Sequence, residues 1–432
     1  MKNKERIENK DRITGKQWLV IFIAGLAGQL CWNIENQWFT TFVYDKISPD
    51  PSIISWMVGA SAITSAIATV LFGTIGDRSG KRKPLMVGGY IIWGITVIIF
   101  GATEFLPKNS VVLAAVAVVF ADCLMTFFGA MAHDAGYNPW TTDITNEHNR
   151  GKLGAVIAVL PVVATILGSL LFGNIIQAID YFAFFIIIGA AMIVLGLFAL
   201  VMVKDSPDLK PNKDVKGFGQ QFLSFFSFSV LRENKVLAWV LAIFSVYFIG
   251  FNMYFSHLTN YFIYSRGFKE GMAGIIIGVG LLCAVPLTLL ASRYIDRGRF
   301  SIIMYSSVAL TVVGLPLLTI AGTAANIIGM VLVGGGYMCI FQSLMILLKN
   351  LFPPEKRGQC EGLRCVFYIL IPMCIGTPVG SAIIKATGIE IINDLGQTGY
   401  SAGPALFFIA AAWTLLSLVP ITVYKKLGEK NV

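Results

Sequence analysis

The sequence predicts an all-α membrane protein: twelve transmembrane helices in two six-helix bundles, with both termini in the cytoplasm. Three observations carry this. Of 432 residues, 56% are hydrophobic and 13% charged, with a mean hydropathy of +0.73, whereas a soluble domain carries about 25% charged residues. The apolar residues fall into twelve runs, each near the roughly 20 residues that span a bilayer core. The Lys and Arg residues are distributed unequally between the two sets of alternating loops.

In chain order, the runs fall near 17–44, 53–75, 84–104, 110–140, 152–178, 180–203, 236–264, 271–294, 300–321, 324–350, 358–386 and 403–424. A basic tail precedes the first run, which is too long, and lacks a small-residue cleavage site, for a removable signal peptide. Between the second and third runs lies Gly73–Pro84, G-T-I-G-D-R-S-G-K-R-K-P, read as a tight cytoplasmic hairpin. Residues 1–204 form the first bundle, 205–235 a polar cytoplasmic loop and 236–432 the second bundle. Within that loop, the Phe-rich segment 220–230 is expected to lie along the membrane surface. With the N-terminus inside, 27 Lys and Arg face the cytoplasm against 5 outside, and Arg364 lies within a span. That asymmetry sets the orientation. The net charge of +9 therefore marks topology rather than nucleic-acid binding.

The seven cysteines lie in or beside spans without metal-ligand spacing, and are read as small core residues. The two halves look related. Asp77-Arg78 has a counterpart in Asp296-Arg297, and Arg150-Gly151 in Arg357-Gly358, at offsets of 219 and 207 residues. A six-helix unit duplicated in parallel is a transporter architecture.

The stretch Gly73-x-x-x-Asp77-Arg78-x-Gly80-Lys81-Arg82 resembles the loop 2–3 signature of the major facilitator superfamily (MFS). The half-copy, the twelve spans and the central loop agree with that resemblance. A narrower one lies in Asp134-Ala-Gly-Tyr137-Asn-Pro-Trp140, which is similar to span 4 of the glycoside–pentoside–hexuronide:cation symporters, the melibiose-permease relatives. The resemblance implies Asp134 as a cation-coupling carboxylate. It also implies acidic residues along span 2, where this chain has Ser65 and Thr69 instead, so sodium coupling of that type is not expected.

An ionisable group inside a span costs about 2.5–3.5 kcal/mol on insertion scales and marks a functional site by default. Glu35 sits in W-N-I-E-N-Q-W, residues 32–38, where Asn33, Glu35, Asn36 and Trp38 supply donors, acceptors and a stacking plate suited to a polyhydroxylated solute. The plainer reading is an interfacial aromatic belt. Asp122 and Asp134 are twelve residues apart, about 120° around an α-helix, and on that geometry do not face one path. His133 shares the Asp122 face; Tyr137 and Asn138 share that of Asp134. The plainer reading of Asp122 is a helix–helix hydrogen bond, and of Asp134 a cap or ion pair near the inner end. Asn252, His257 and Tyr261 in span 7 and Gln342 in span 10 are further candidate solute ligands. Glu361 and Arg364, three apart, pair within one turn as a gate. Gly73, Asp77, Arg78, Gly80 and Arg82, with Asp296 and Arg297, complete the gating set. The resemblance gives Asp77 a helix N-terminus in the other half as its partner, where a carboxylate and the helix dipole attract.

The expected function is secondary active transport by alternating access. The expected cargo is a small polar solute such as a sugar or glycoside, taken up with a coupling cation. A proton is preferred to sodium, because Glu35 and Asp134 are titratable and the span 2 carboxylates are missing. A drug-type proton antiporter, a lysophospholipid carrier and a non-transporting sensor are the alternatives. No enzyme motif, cofactor or metal site is read from the chain. The expected partners are the solute, the cation and the lipid bilayer, with the protein monomeric.

Overall fold

The computed structural model describes residues 13–427 except 108–109, 146–148, 208, 212–216, 218, 221–222, 224–230, 233, 353–356 and 394. The side chains of residues 150, 151, 155, 158, 357–359 and 361 also fall outside the description. The segment 220–230, expected at the membrane surface, lies almost entirely outside the described residues.

Among the described residues, twelve helices are long and apolar enough to cross a membrane. They are span 1 (Gly15–Ile47), span 2 (Pro51–Ser79), span 3 (Lys83–Phe105), span 4 (Val111–Asp143), span 5 (Lys152–Ile179), span 6 (Tyr181–Met202), span 7 (Lys235–Ser265), span 8 (Glu270–Ile295), span 9 (Phe300–Leu317), span 10 (Thr323–Leu351), span 11 (Gly362–Thr387) and span 12 (Pro404–Leu427). A helix satisfies its own backbone, the condition for crossing lipid. Its ends need outside partners. Thr14 and Gln17 cap span 1 reciprocally, with the Thr14 N–H reaching Gln17 Oε1 at 2.8 Å and the Gln17 N–H reaching Thr14 Oγ1 at 3.3 Å. Asn234 Oδ1 accepts the Leu237 N–H at 3.0 Å and opens span 7.

Two expectations change here. The first concerns Gly73–Pro84, expected as a hairpin. Span 2 continues as helix to Ser79, and the turn is confined to residues 80–82. Gly73 and Gly76 stay helical, and the first residue of the stretch with positive φ is Gly80, whose φ of +64° suits glycine. The second concerns the segment 387–402, which carries no expected element between the apolar runs 358–386 and 403–424. It forms an antiparallel hairpin, β1 (Ile389–Ile392) with β2 (Thr398–Ser401), in the register Ile389 to Ser401. The β2 edge is tied back to the start of span 2: the Tyr400 N–H donates to the Pro49 carbonyl at 3.0 Å.

The chain forms two compact units. Unit 1 is Met1–Glu35, Ile63–Gly168 and Ile179–Phe222; unit 2 is Asn36–Ala62, Ser169–Ala178 and Leu223–Val432. One end of spans 1, 2 and 5 thus packs with the second half of the chain. The cause is visible inside unit 2. Trp38 is fully buried and lies where Gly173 of span 5 and Gly274 of span 8 leave no room for a side chain. Asn260 Nδ2 donates to the Thr40 carbonyl at 3.1 Å.

Span 4 shows how faces are assigned. Val112, Val116 and Phe120 are 75%, 63% and 62% exposed and form one stripe at a spacing of four, suited to lipid tails. Asp122, 1% exposed, is turned into unit 1.

Candidate functional site

Unit 1 collects its acidic groups around the end of its portion of span 1. Thr126 Oγ1 of span 4 donates to Glu35 Oε1 at 3.0 Å, while Glu35 Oε2 has no hydrogen-bond partner among the described residues. Asp122, one turn before Thr126, acts on Glu35 electrostatically, and Asp134 does so more weakly. The expectation that Asp122 and Asp134 serve different paths is corrected here. Residues Ala130–Tyr137 form a π-helical stretch. With about one extra residue per turn, it brings Asp134 round to within roughly 50° of Asp122. Such bulges inside α-helices concentrate at functional sites.

The same bulge sets His133 and Tyr137. Their rings stack at 4.8 Å with 17° between planes. His133 meets Gln29 Nε2 at 3.1 Å through Nε2 and Tyr90 Oη at 3.3 Å through Nδ1, so both ring nitrogens are engaged. Tyr137 Oη donates to the Ile21 carbonyl at 2.8 Å. Gly28 makes this approach fit, since a Cβ there would strike the His133 ring. Tyr137, expected on the Asp134 face as a solute ligand, belongs to the His133 side, buried as a strut between spans 4 and 1. Asn138 stays near Asp134, with Nδ2 donating to Oδ1 at 3.4 Å, and is exposed. On the other flank, Trp32 packs against Trp93 of span 3 at 5.0 Å.

The remaining candidates are not gathered there. Asn33 is buried in unit 1, and Asn36 is half-buried in unit 2. In unit 2, Asn252 Nδ2 returns to its own helix at the Phe248 carbonyl at 2.8 Å. Tyr261 Oη donates to the Leu318 carbonyl at 3.0 Å, and its ring packs on Phe407 at 4.5 Å. His257 is bonded to Ser381 at 3.1 Å. Gln342 Nε2 donates to Ser292 Oγ at 2.8 Å.

At the turn after span 2, the buried Arg82 holds Asp77 Oδ1 through Nη2 at 2.5 Å and Asp143 Oδ2 through Nε at 3.1 Å. Burial works against its charge, but the hydrogen bonds and charges of Asp77 and Asp143 outweigh it and hold the guanidinium above the ordinary arginine range. Asp205 Oδ1 accepts the backbone N–H groups of Arg82 and Lys83, each at 2.8 Å, and so caps span 3. Gly80 is crowded by Lys210 and Pro211, so a side chain does not fit. Gly73 faces open space, and Arg78 is exposed. The second copy differs: Asp296 and Arg297 are exposed and line an open cavity of ≈ 470 Å³ with Phe300, Ile346 and Asn350. Arg364 is half-buried, while the Glu361 side chain, its expected partner, lies outside the described residues.

Residues 18–377 match the model of the Major Facilitator Superfamily. The chain belongs to that superfamily. It is 20% identical over 356 residues to sugar efflux transporter B of Salmonella typhimurium, covering 80% of this chain and 82% of that protein. It is 30% identical over 153 residues to the MFS-type transporter YddS of Bacillus subtilis, 33% of this chain and 32% of YddS. Its fold is similar to a variant of the nucleoside transporter NupG (TM-score 0.72, 14% identity, 94% of this chain and 99% of that one). A bacterial homologue of the lysosomal transporter Spinster, crystallised inward-facing and occupied, matches at TM-score 0.70 with 11% identity over 97% and 99% of the chains. The protein is thus an MFS transporter, a multi-pass protein of the plasma membrane, and not an enzyme.

Sequence reasoning missed Thr126, Trp93, Asp143 and Asp205. Thr126 was within reach, because it lies four residues after Asp122 on one helical face. Trp93 sits in an otherwise apolar run, and Asp205 acts across 123 residues of chain; neither leaves a local signal.

Proposed function

We propose that the protein is a proton-coupled secondary transporter of a small polar ring solute, a sugar, glycoside or nucleoside, with both termini in the cytoplasm. The observation that carries this is Glu35, held at one oxygen by Thr126 and open at the other, beside Asp122 and Asp134. Carboxylates sharing a low-dielectric span repel one another when all are ionised, and a proton among them removes the repulsion. Trp32 and Trp93 add apolar plates beside the acid, which suits a ring that carries hydroxyl groups. The Lys and Arg asymmetry supports the orientation. The span 4 motif supports the branch of cation symporters. The ion network of Asp77, Arg82 and Asp143 acts in this reading as a latch at the cytoplasmic end.

A second reading is export of the same class of solute in exchange for protons, favoured by the name of the Salmonella relative. Proteoliposomes separate the two. Uptake of radiolabelled sugars and nucleosides is measured under an imposed pH gradient and, separately, an imposed sodium gradient. Accumulation on the alkaline side supports symport, and accumulation on the acidic side supports exchange. A response to sodium alone overturns the proton assignment.

A further inference from the structure

Two buried histidines are described, and they differ in one respect. His133 has both ring nitrogens engaged. His257 in unit 2 has one. It sits where the helix of span 7 breaks, before the short turn Leu258–Asn260, and is 1% exposed. Its Nε2 lies 3.1 Å from Ser381 Oγ of span 11. Ser381 Oγ also lies 2.8 Å from the Pro51 carbonyl and 2.5 Å from Ser55 Oγ, both in span 2.

The protons in this relay can be counted. A carbonyl only accepts, so the single Ser381 proton goes to Pro51. The Ser55 proton also has the Thr377 carbonyl at 3.3 Å within reach, but goes to Ser381 along the shorter contact of 2.5 Å. With both serine protons assigned in this way, the third contact to Ser381 is donated by the imidazole, in the tautomer that carries the His257 hydrogen on Nε2. A neutral imidazole has one donor and one acceptor nitrogen. Nδ1 therefore carries a bare lone pair, and it has no hydrogen-bond partner among the described residues.

Among the described residues, no carboxylate is paired with the His257 ring. Span 7 contributes Tyr254 and Tyr261, both buried. Lys385 of span 11 is paired with Asp50 at 2.8 Å. Asp45 accepts from Tyr264. On the hairpin, Glu390 is exposed.

We propose that His257 is a proton-binding site that controls whether spans 2, 7 and 11 stay sealed at the hairpin end of unit 2. A proton from solvent adds to the Nδ1 lone pair, and no bond is broken. The product is a buried imidazolium whose new N–H has no acceptor and whose charge has no partner. Opening the seal lets water solvate both. The sealed form thus holds His257 without the proton and the open form holds it with the proton, so acid moves the population towards open and alkali moves it back. This rests on the transport reading only in that an alternating-access carrier needs the hairpin end to open.

The test is a distance measurement on the full chain in nanodiscs. Spin labels are placed at Ser52, which begins span 2, and Ala386, near the end of span 11, in a background without native cysteines. The expected result is a longer-distance population whose ratio to the short one rises as pH falls, by up to about tenfold per pH unit for one proton. In His257→Gln, whose amide still donates to Ser381, that ratio is flat with pH. A Ser55→Cys/Ser381→Cys pair holds the short distance at every pH once oxidised and releases it on reduction. A pH-independent wild-type distance overturns the proposal, as does an unchanged pH response in His257→Gln. If that variant fails to fold, Ser381→Ala replaces it. Loss of the relay there should move the midpoint of the response, and an unmoved midpoint overturns the proposal. No solute enters the measurement. A seal that responds to pH in a protein that moves no solute overturns the transport reading alone. Flux with a pH-flat seal overturns this proposal alone.

Discussion

The two units deploy their polar residues differently. Unit 1 holds Glu35, Asp122 and Asp134 within its spans, and at its basic turn a buried arginine bound by two aspartates. Unit 2, also built of membrane-spanning helices, has hydroxyls, an imidazole and stacked rings in its interior. Phe251 lies on Tyr337 at 4.8 Å, and Tyr337 lies parallel to Phe341 at 6.0 Å. Its copy of the basic turn is exposed around an open cavity. The difference teaches that units built alike from membrane-spanning helices can carry different polar chemistry. Among the described residues, the carboxylate cluster of Glu35, Asp122 and Asp134 lies in unit 1, while unit 2 supplies packing and the hydrogen-bond relay of His257.

Substitutions can break or sharpen that contrast. The largest effect is expected at Glu35. Glu35→Gln keeps the Thr126 hydrogen bond and removes the charge, so pH-driven accumulation should fall by roughly 5–150-fold, the span of an ordinary coupling free energy. Counterflow exchange at fixed pH should persist. Retained pH-driven accumulation in proteoliposomes would remove Glu35 from the coupling role. Next comes Arg82→Ala, which strips the partner from Asp77 and Asp143 at once. The guanidinium is buried but Asp77 is 45% and Asp143 20% exposed, so water relieves part of the loss and the cost is about 1–2 kcal/mol, visible as a lower Tm for the purified protein. An unchanged melt would mean that the network is ornamental to unit 1. Asp77→Asn is milder, because Asp77 is 45% exposed; it should slow transport while leaving solute affinity in place, and equal slowing of both would count against a latch. The smallest effect belongs to the second copy. Asp296→Asn should change stability by less than about 0.5 kcal/mol and leave the transport rate unaltered. An effect as large as that of Arg82→Ala would show that the two turns are equivalent after all.

Much of the fold was legible because lipid restricts it so strongly. All twelve runs became helices, with ends within a few residues of those read from the apolar pattern. The acids at 35, 122 and 134 were legible for the same reason, since a carboxylate in an apolar run stands out. Their arrangement was not. A reading at 100° per residue separates Asp122 from Asp134, and only the π-helical stretch reunites them. His257 was legible as a polar residue on a polar stripe, but its partners Ser55 and Ser381 lie 202 and 124 residues away. The hairpin after span 11 was hidden because Ile389–Ile392 is short, and its edge pairs with Pro49, far back in the chain.

The sequence by itself determined the span count, the superfamily signature and which residues carry titratable groups inside the membrane. Each of these is set by hydropathy and local order along one helix, where neighbours in sequence are neighbours in space. Tertiary structure alone decided what those groups meet: that Thr126 leaves one oxygen of Glu35 open, that both nitrogens of His133 are engaged while one of His257 is not, and that Arg82 answers two aspartates. Hydrogen bonds and ion pairs depend on distances of about 3 Å between helices, and those are set by how glycines and bulges let the helices approach. Apolar periodicity along one helix holds no record of that approach.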